Sequence, residues 1–356
     1  MQEIKISGAN AGQRLNKFLG KYLDDAPQSF LYKMLRKKNI KWNNKKASGN
    51  ELLQEGDSVQ IYLADDTIIK FRKDGKIPEV FVQDRDDAGG HKKSSPEHIN
   101  EQNDKKNSPL EGIEILYEDA DILILNKPAG LLSQKAAVDD YSLNERIVDY
   151  YLEKRIEVSF FTPSVCNRLD RNTSGIILAG MSLKGSQTLS RMLKERTLDK
   201  YYVTIVNGYI KQSSTIKGFL TKKANHKVIV YPTLEDAKKN GVEKPAFIET
   251  YYEPVAYGEY LNMEFTLLKV KLVTGKTHQI RAHLSSVGHP IIGDGKYGLK
   301  SINCILKRDF GLRYQMLHAF QIVFPVSKEL PDSLSGAAFQ APLPEEFEEL
   351  KKNLFK

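Results

Sequence analysis

In the segment RLNKFLGKYL the apolar residues Leu15, Phe18, Leu19, Tyr22 and Leu23 recur at three- and four-residue intervals, which predicts a helix with one buried stripe. A second short helix, roughly Gln28 to Lys38, is predicted from Leu31, Met34 and Leu35. Two strands are expected next, Ile40 to Trp42 and Ser58 to Leu63, the second introduced by the Glu55-Gly56-Asp57 turn. Beyond them, Ile68, Ile69, Phe71 and Val80 to Val82 fit a strand or two closing this first module. Residues 84–109 hold almost no apolar side chain and are rich in Gly, Pro, Ser and charge. Such a stretch buries too little surface to offset its ordering entropy and reads as a flexible linker.

From Ile113 the pattern turns globular. Strand-like runs occupy Ile122 to Asn126, Ile176 to Ala179, Tyr201 to Asn207, Phe247 to Val255 and Met263 to Val273. Helical spacing is found near Asn144 to Lys154, Leu183 to Glu195 and Thr277 to Val287. Strands dominate without the regular strand-helix alternation of a parallel sheet, so an α+β fold on a mainly antiparallel sheet is expected. The predicted division is a small module over 1–63, a linker over 64–112 that is largely flexible from 84, and a large domain over 113–356.

Charge sharpens the picture of the first module. The 356 residues carry 53 basic and 45 acidic side chains, a formal +8. No acidic residue occurs from Ala26 to Asn50, where Lys33, Arg36, Lys37, Lys38, Lys41, Lys45 and Lys46 supply seven positive charges. Nearly the whole excess therefore sits on one helix face and the hairpin after it. That face can follow a phosphate backbone, because Lys and Arg gain affinity there by releasing counterions. The two cysteines, Cys166 and Cys304, provide neither a disulfide framework nor a zinc knuckle. The N-terminus lacks a signal-peptide pattern, and no uncharged apolar run approaches the roughly 18 to 20 residues that span a bilayer. A cytoplasmic protein without a membrane partner is expected.

Candidate chemistry lies in three segments of the large domain. CNRLDRNTSG, residues 166–175, sets Asp170 between Arg168 and Arg171 ahead of a Thr-Ser-Gly turn and an apolar strand. Flanking arginines favour the ionised carboxylate, which suits a nucleophile, although a surface ion pair reads the same way. KLVTGKTHQIRAH, residues 271–283, ends a strand at a glycine turn and opens a helix with Thr277 as the expected N-cap. Arg281, one turn on, can reach a carboxylate from another loop. His278 and His283 are five residues apart, about 140° around a helix, which does not suit two ligands of one metal; a structural hydrogen bond is the reading for His278. KYYVTIVNG, residues 200–208, places Tyr201 and Tyr202 on opposite strand faces. Either can pack in a core or stack on a nucleobase. GDGKYG, residues 293–298, lacks the spacing of a phosphate-binding loop and reads as a turn, and no dinucleotide fingerprint is present. Cys166 reads as a small buried hydrophobe rather than a nucleophile.

The first module resembles the alpha-L RNA-binding module, through Arg14, Leu15, Phe18 and Leu19, then KMLRKKNIKWNNKK and the Gly-Asp before the last strand, with departures at Asn16 and Trp42. The three chemical segments together resemble the RluA-type pseudouridine synthases. NRLDRNTSG stands for the family's HRLDRDTSG-like motif, KYYVTIVNG for its Lys-x-Tyr strand and TGKTHQIRAHL for its TGR-x-HQIR-x-H signature. ILYEDADILILNKPAGL, GDGKYG, MLHAFQIVFP and APLPEEF extend the likeness over nearly all of 113–350. Asn167, Asn172, Met181 and Ser133-Gln134 depart from it.

This resemblance implies a pseudouridine synthase fold and an isomerase of uridine in RNA. The substrate it implies is large-subunit ribosomal RNA, with transfer RNA the other candidate, and neither metal nor organic cofactor is implied. Asp170 is then the catalytic carboxylate, Tyr202 the residue stacked on the target uracil, Arg281 the partner that orients Asp170, and Arg168 an RNA contact. Asp170 either attacks the sugar or base covalently, or stabilises an oxocarbenium-like sugar and moves a proton from it. A monomer is expected. The alternative is a non-catalytic RNA-binding or ribosome-assembly factor.

Overall fold

Burial in the N-terminal module follows the helical and strand periods. The computed structural model describes residues 1–8, 10–73, 76, 108–154, 161–222 and 228–355. The module contains β1 (Gln2–Lys5), α1 (Leu15–Tyr22), α2 (Gln28–Arg36), β2 (Ile40–Trp42), β3 (Lys45–Lys46), β4 (Ser58–Ile61) and α3 (Asp65–Lys70). The strands form an antiparallel sheet in the order β1-β4-β2-β3. Leu15, Phe18, Leu19 and Tyr22 of α1 and Leu31, Met34 and Leu35 of α2 bury against Ile4, Ile40, Val59 and Ile61. Asn43 and Asn44 take positive φ of 49° and 60° and turn the β2–β3 hairpin, a conformation that asparagine tolerates better than most residues. Two helices on this small sheet fit the alpha-L module.

One expectation needs correction here. Ile68, Ile69 and Phe71 do not form a strand: residues 65–70 are helical, and Ile68 and Phe71 join the first core, so packing continues past residue 63. The two aspartates at the start of α3 favour that helix, because acidic side chains complement its N-terminal end. The short strands β1 and β3 carry too few residues for a readable alternation. The expected strand at Val80 to Val82, and the linker up to residue 107, lie outside the described residues.

Cα packing divides the chain into two units, one of residues 1–111 with 147–163 and 181–185, the other holding the remainder. Along the rest of the chain run β5 (Glu114–Glu118), β6 (Ile122–Lys127), α4 (Leu143–Glu153), β7 (Ser164–Val165), β8 (Ser174–Gly180), α5 (Leu183–Glu195), β9 (Asp199–Asn207), β10 (Ser214–Lys222), β11 (Val228–Tyr231) and α6 (Leu234–Lys239). They are followed by β12 (Ala246–Tyr260), β13 (Met263–Leu272), α7 (Gln279–Ser286), α8 (Lys300–Phe310), β14 (Leu317–Val323), β15 (Ala338–Gln340) and α9 (Glu345–Leu354). Among the described residues the sheet has eleven strands, in the order β11-β10-β12-β13-β9-β14-β8-β6-β5, with β15 on β14 and β7 on β8. All its pairings are antiparallel except β14 with β8. The fold is α+β, as the strand-rich pattern predicted.

β8 is buried at every position, which explains its unbroken apolar run Ile176-Ile177-Leu178-Ala179. Ile176 and Leu178 pack with Leu189 and Met192 of α5, and Ile205, Phe265 and Leu267 pack with Leu306 of α8 and Phe347 and Leu350 of α9. Where β8 enters beside β14, Gly175 has a φ of 112°, and a Cβ there would run into the backbone of Ala319. The glycine of the Thr-Ser-Gly turn is therefore what lets these parallel strands approach. His318 locks the same junction through Ser174 Oγ at 2.8 Å and the Ala341 carbonyl at 3.1 Å.

Candidate active site

Because β9 and β13 are antiparallel, the start of one lies beside the end of the other, with Tyr202 opposite Val270 and Tyr201 opposite Lys271. The loop into β8, the first residues of β9 and the loop from β13 into α7 therefore meet at one end of the sheet. They enclose a cavity of about 930 Å³ whose lining includes Asp170, Tyr202 and Arg281, together with Arg168. The three residues expected to carry chemistry share one site.

The Asp170 loop is held from below by backbone bonding. Lys127 is fully buried, and its Nζ donates to the carbonyls of Pro128 at 2.9 Å, Leu131 at 2.8 Å and Arg171 at 3.2 Å. Burial pushes this lysine down to about 7 and the Asp170 charge opposes that shift, while three carbonyls match the three N–H bonds of an ammonium. Thr173 N–H donates to the Asp170 carbonyl at 3.0 Å, and Ser133 Oγ donates to the Leu169 carbonyl at 2.9 Å. Asn167 Oδ1 accepts from Leu178 N–H at 2.7 Å. The departures Asn167 and Ser133 thus serve backbone bonds that fix the loop.

Arg281 reaches Asp170 with Nη1 to Oδ2 at 2.7 Å. Its other edge is held by Asp294, through Nε to Oδ2 at 2.7 Å and Nη2 to Oδ1 at 2.9 Å. Asp294 is wholly buried. Burial works against its charge, yet the Arg281 hydrogen bonds and charge, with the N–H groups of Lys296 and Tyr297, hold its carboxyl below the usual range. Burial would lower the Arg281 guanidinium, but the two carboxylates raise it further above its ordinary value. Arg281 is a bridge with one buried carboxylate behind it and one cavity-lining carboxylate in front.

Asp294 belongs to GDGKYG, which reads from sequence as a plain turn. The turn is there and is closely held: a Cβ on Gly293 (φ 74°) would meet the Tyr314 carbonyl, and Asn303 of α8 bonds both Gly293 N–H at 2.8 Å and the Asp294 carbonyl at 3.0 Å. The signal available in the sequence was an aspartate between two glycines directly after the apolar run Pro290-Ile291-Ile292.

The start of α7 also differs from expectation. Thr277 is not the N-cap; His278 is, with φ 53° and no side-chain capping bond. Gln279 organises the turn instead, accepting from Thr274 Oγ1 at 2.9 Å and Lys276 N–H at 3.1 Å while donating to the Glu249 carbonyl at 3.0 Å. The left-handed conformation turns His278 towards the cavity, where Nε2 lies 4.0 Å from Asp170 Oδ1 and Nδ1 meets the Tyr297 hydroxyl at 2.9 Å. Since that hydroxyl accepts from Val228 N–H at 3.0 Å, the assignment that satisfies both groups has Tyr297 donating to Nδ1 and the imidazole proton on Nε2. Burial holds His278 below its ordinary value, against the pull of Asp170. His283 points elsewhere, to Thr250 at 2.8 Å. Among the described residues no cluster of His, Cys, Asp and Glu is placed to hold a metal ion.

Tyr202 is buried and faces the cavity; burial, then the Asp170 charge, pushes its phenol well up. Tyr201 lies on the other strand face, beneath Lys269 and Lys271. Neither Arg168 nor Arg171 pairs with Asp170: Arg168 is exposed on the cavity wall, and Arg171 donates to the Gly130 carbonyl at 3.0 Å. The sequence neighbours of the aspartate are thus not its electrostatic partners. Among the described residues eight Lys and Arg side chains line the cavity and Asp170 is its sole acid.

In the N-terminal unit, Lys33, Arg36 and Lys46 share a cavity of about 470 Å³ with Tyr32 and Ser48. Lys37, Lys38 and Lys45 are exposed outside it, while Lys41 lies over the Tyr62 ring at 4.9 Å. Three of the seven basic residues are brought together in a recess and the others are spread around it.

A strand-edge carboxylate bridged by arginine to a buried aspartate stands with a buried tyrosine in a basic cavity. The sequence profile of the RNA pseudouridylate synthase family matches residues 121–286. Over 351 residues the chain is 30% identical to "Ribosomal large subunit pseudouridine synthase C" of Haemophilus influenzae, covering 99% of this chain and 94% of the relative. The enzyme of that name from Pasteurella multocida is 30% identical over 355 residues, 98% of this chain and 92% of the relative. The chain belongs to the RNA pseudouridylate synthase family. The solved structure of human RNA Pseudouridylate Synthase Domain Containing 4 superposes with a TM-score of 0.52 at 18% identity, over 68% of this chain and 94% of that one, and shares the fold. No described helix is long and apolar enough to cross a membrane.

Proposed function

We propose that this protein converts specific uridines of large-subunit ribosomal RNA to pseudouridine, with Asp170 as the catalytic carboxylate. The relatives named for large-subunit pseudouridine synthase C support the substrate. The observation that carries the chemistry is the Arg281 bridge. Arg281 occupies Oδ2 of Asp170 and leaves Oδ1 without a hydrogen bond among the described residues. An anionic oxygen held on one side and free on the other can act on C1′ of a nucleotide in the cavity.

The reaction breaks N1–C1′, turns the uracil and joins C5 to C1′, after which the C5 proton leaves. The target must leave its helix to reach Asp170, at a cost of a few kcal/mol. Phosphate contacts with the cavity cations and with the basic N-terminal module offset that cost. Tyr202 offers its ring face to the uracil. Asp294 acts through Arg281, keeping the guanidinium fixed so that Asp170 need not reorganise during the reaction.

Release of tritium from ribosomal RNA transcripts carrying C5-tritiated uridine tests this reading. Release by the wild type and none by Asp170→Asn is expected. Absence of release by the wild type from any ribosomal or transfer RNA would leave an RNA-binding protein without this activity.

A further inference from the structure

Lys200 is a cavity cation to which the chemistry above gives no individual role. On β9 it stands two residues before Tyr202, so strand alternation puts both side chains on the same face, about 7 Å apart along the strand. Both line the cavity, Tyr202 deep within it and Lys200 half-buried. Among the described residues the Lys200 side chain makes no hydrogen bond and no ion pair, its backbone pairing with β14. The adjacent acid is turned away: Asp199, on the opposite face, is taken by Lys271 at 2.8 Å. Lys200 Nζ lies beside Gly275 of the β13–α7 loop, 3.7 Å from where a Cβ would be, at ordinary van der Waals distance.

A second cation stands close by. Arg196 ends α5 in the left-handed conformation, φ 61°, where glycine is the usual residue. Its side chain lines the same cavity. Burial, then the neighbouring Arg196 charge, holds Lys200 below its ordinary value. Two cations drawn together without an acid between them, one partly desolvated and one on an unfavourable backbone, make an arrangement that an incoming anion relieves.

Resting on the reading of the cavity as a uridine site, we infer that Lys200, assisted by Arg196, receives a phosphodiester flanking the flipped uridine. With the uracil on Tyr202 and C1′ at Asp170, the sugar-phosphate leads outward along β9, and Lys200 is the first cation on that path. The contact positions the nucleotide by its phosphate rather than its base, so it is independent of the neighbouring sequence.

The test pairs a residue change with a phosphate change. Single-turnover tritium release is measured for wild type, Lys200→Met and Lys200→Arg on a synthetic hairpin around a target uridine. The phosphodiester on its 5′ or its 3′ side is either natural or a neutral methylphosphonate. Lys200→Met is expected to slow release roughly tenfold to a hundredfold, as loss of a charge-assisted hydrogen bond does, and Lys200→Arg to restore most of it. One of the two methylphosphonates should slow the wild type by a like factor and leave Lys200→Met unchanged. Wild-type rates for Lys200→Met, or losses that multiply, overturn the inference while wild-type release leaves the proposed activity standing. Absence of wild-type release rejects that activity instead, and hairpin affinity then decides: a methylphosphonate penalty as large in Lys200→Met as in wild type overturns the assignment. Lys200→Met should also melt no lower than wild type, since an unpaired charge is removed; a lowered melting temperature with an unchanged rate shows a structural role and overturns it too.

Discussion

The N-terminal basic module and the cavity around Asp170 both concentrate positive charge, and they arrange it in opposite ways. On the module, most of the seven cations are solvent-exposed on one helix and hairpin, with no carboxylate among residues 26–50 to hold them. In the cavity, the key charges are interlocked and, Asp170 apart, buried: Asp294 holds Arg281, Arg281 holds Asp170, and Lys127 pins the loop beneath. Exposed charges act nearly independently and in small increments, whereas a buried network stands or falls together. On the proposed reading, affinity is spread over a surface and chemistry is confined to a few fixed atoms.

The sharpest way to break this comparison is at Asp170. Asp170→Asn is expected to reduce turnover by roughly a thousandfold or more while leaving RNA affinity within about twofold, measured by single-turnover release and by filter binding. Retained turnover would remove Asp170 as the catalyst.

Asp294→Asn comes next. It leaves the Arg281 charge with weaker support, so turnover is expected to fall by about 10- to 100-fold at unchanged KM, with roughly 3 kcal/mol lost in urea unfolding. A variant that loses stability but keeps kcat would show Asp294 to be structural alone.

Buried histidines give the large domain a pH signature that the module lacks. Burial pushes His283 and His318 down from 6.5 to about 4. The folded state keeps both neutral, while the unfolded chain takes up protons below 6.5, so stability is full above that pH and is lost as pH falls towards 4. Each histidine should account for about 3 kcal/mol across that window. His318→Gln should flatten the dependence in urea titrations between pH 6.5 and 4.5; an unchanged slope would contradict it.

The smallest effects belong to the module. Alanine at Lys33, Arg36 and Lys46 together should lower RNA affinity and reduce the slope of log affinity against log salt by roughly 2, but any one alone should weaken binding only a fewfold. An effect of one substitution as large as that of all three would make the module a specific site rather than a distributed surface.

Local patterns were legible wherever one face was buried. α1, α2, α5, β6, β8 and β9 lie where spacing predicted, because amphipathic periodicity is written by the core each element meets. Asp170, Tyr202 and Arg281 could be named because the runs that hold them resemble a family's motifs; strand alternation alone left Tyr201 and Tyr202 equal candidates. α3 was misread because six residues hold too little periodicity to separate helix from strand. The cap of α7 was misread because Gln279 and a left-handed His278 replaced the expected threonine.

By itself, the sequence determined the class of fold, the basic character of the first module and the residues from which a site could be made. Only the tertiary structure decided which charges meet. Asp170 is flanked in the chain by two arginines and pairs with neither; its partner is 111 residues away. Arg281 in turn is fixed by an aspartate from a segment that looked like a turn. The physical reason is that short side chains on a strand-edge loop diverge from their chain neighbours, while antiparallel β9 and β13 bring distant loops to the same end of the sheet. Pairing across that end depends on register and closure, which no local pattern encodes. CNRLDRNTSG, an ion cluster in one dimension, is one wall of a cavity in three.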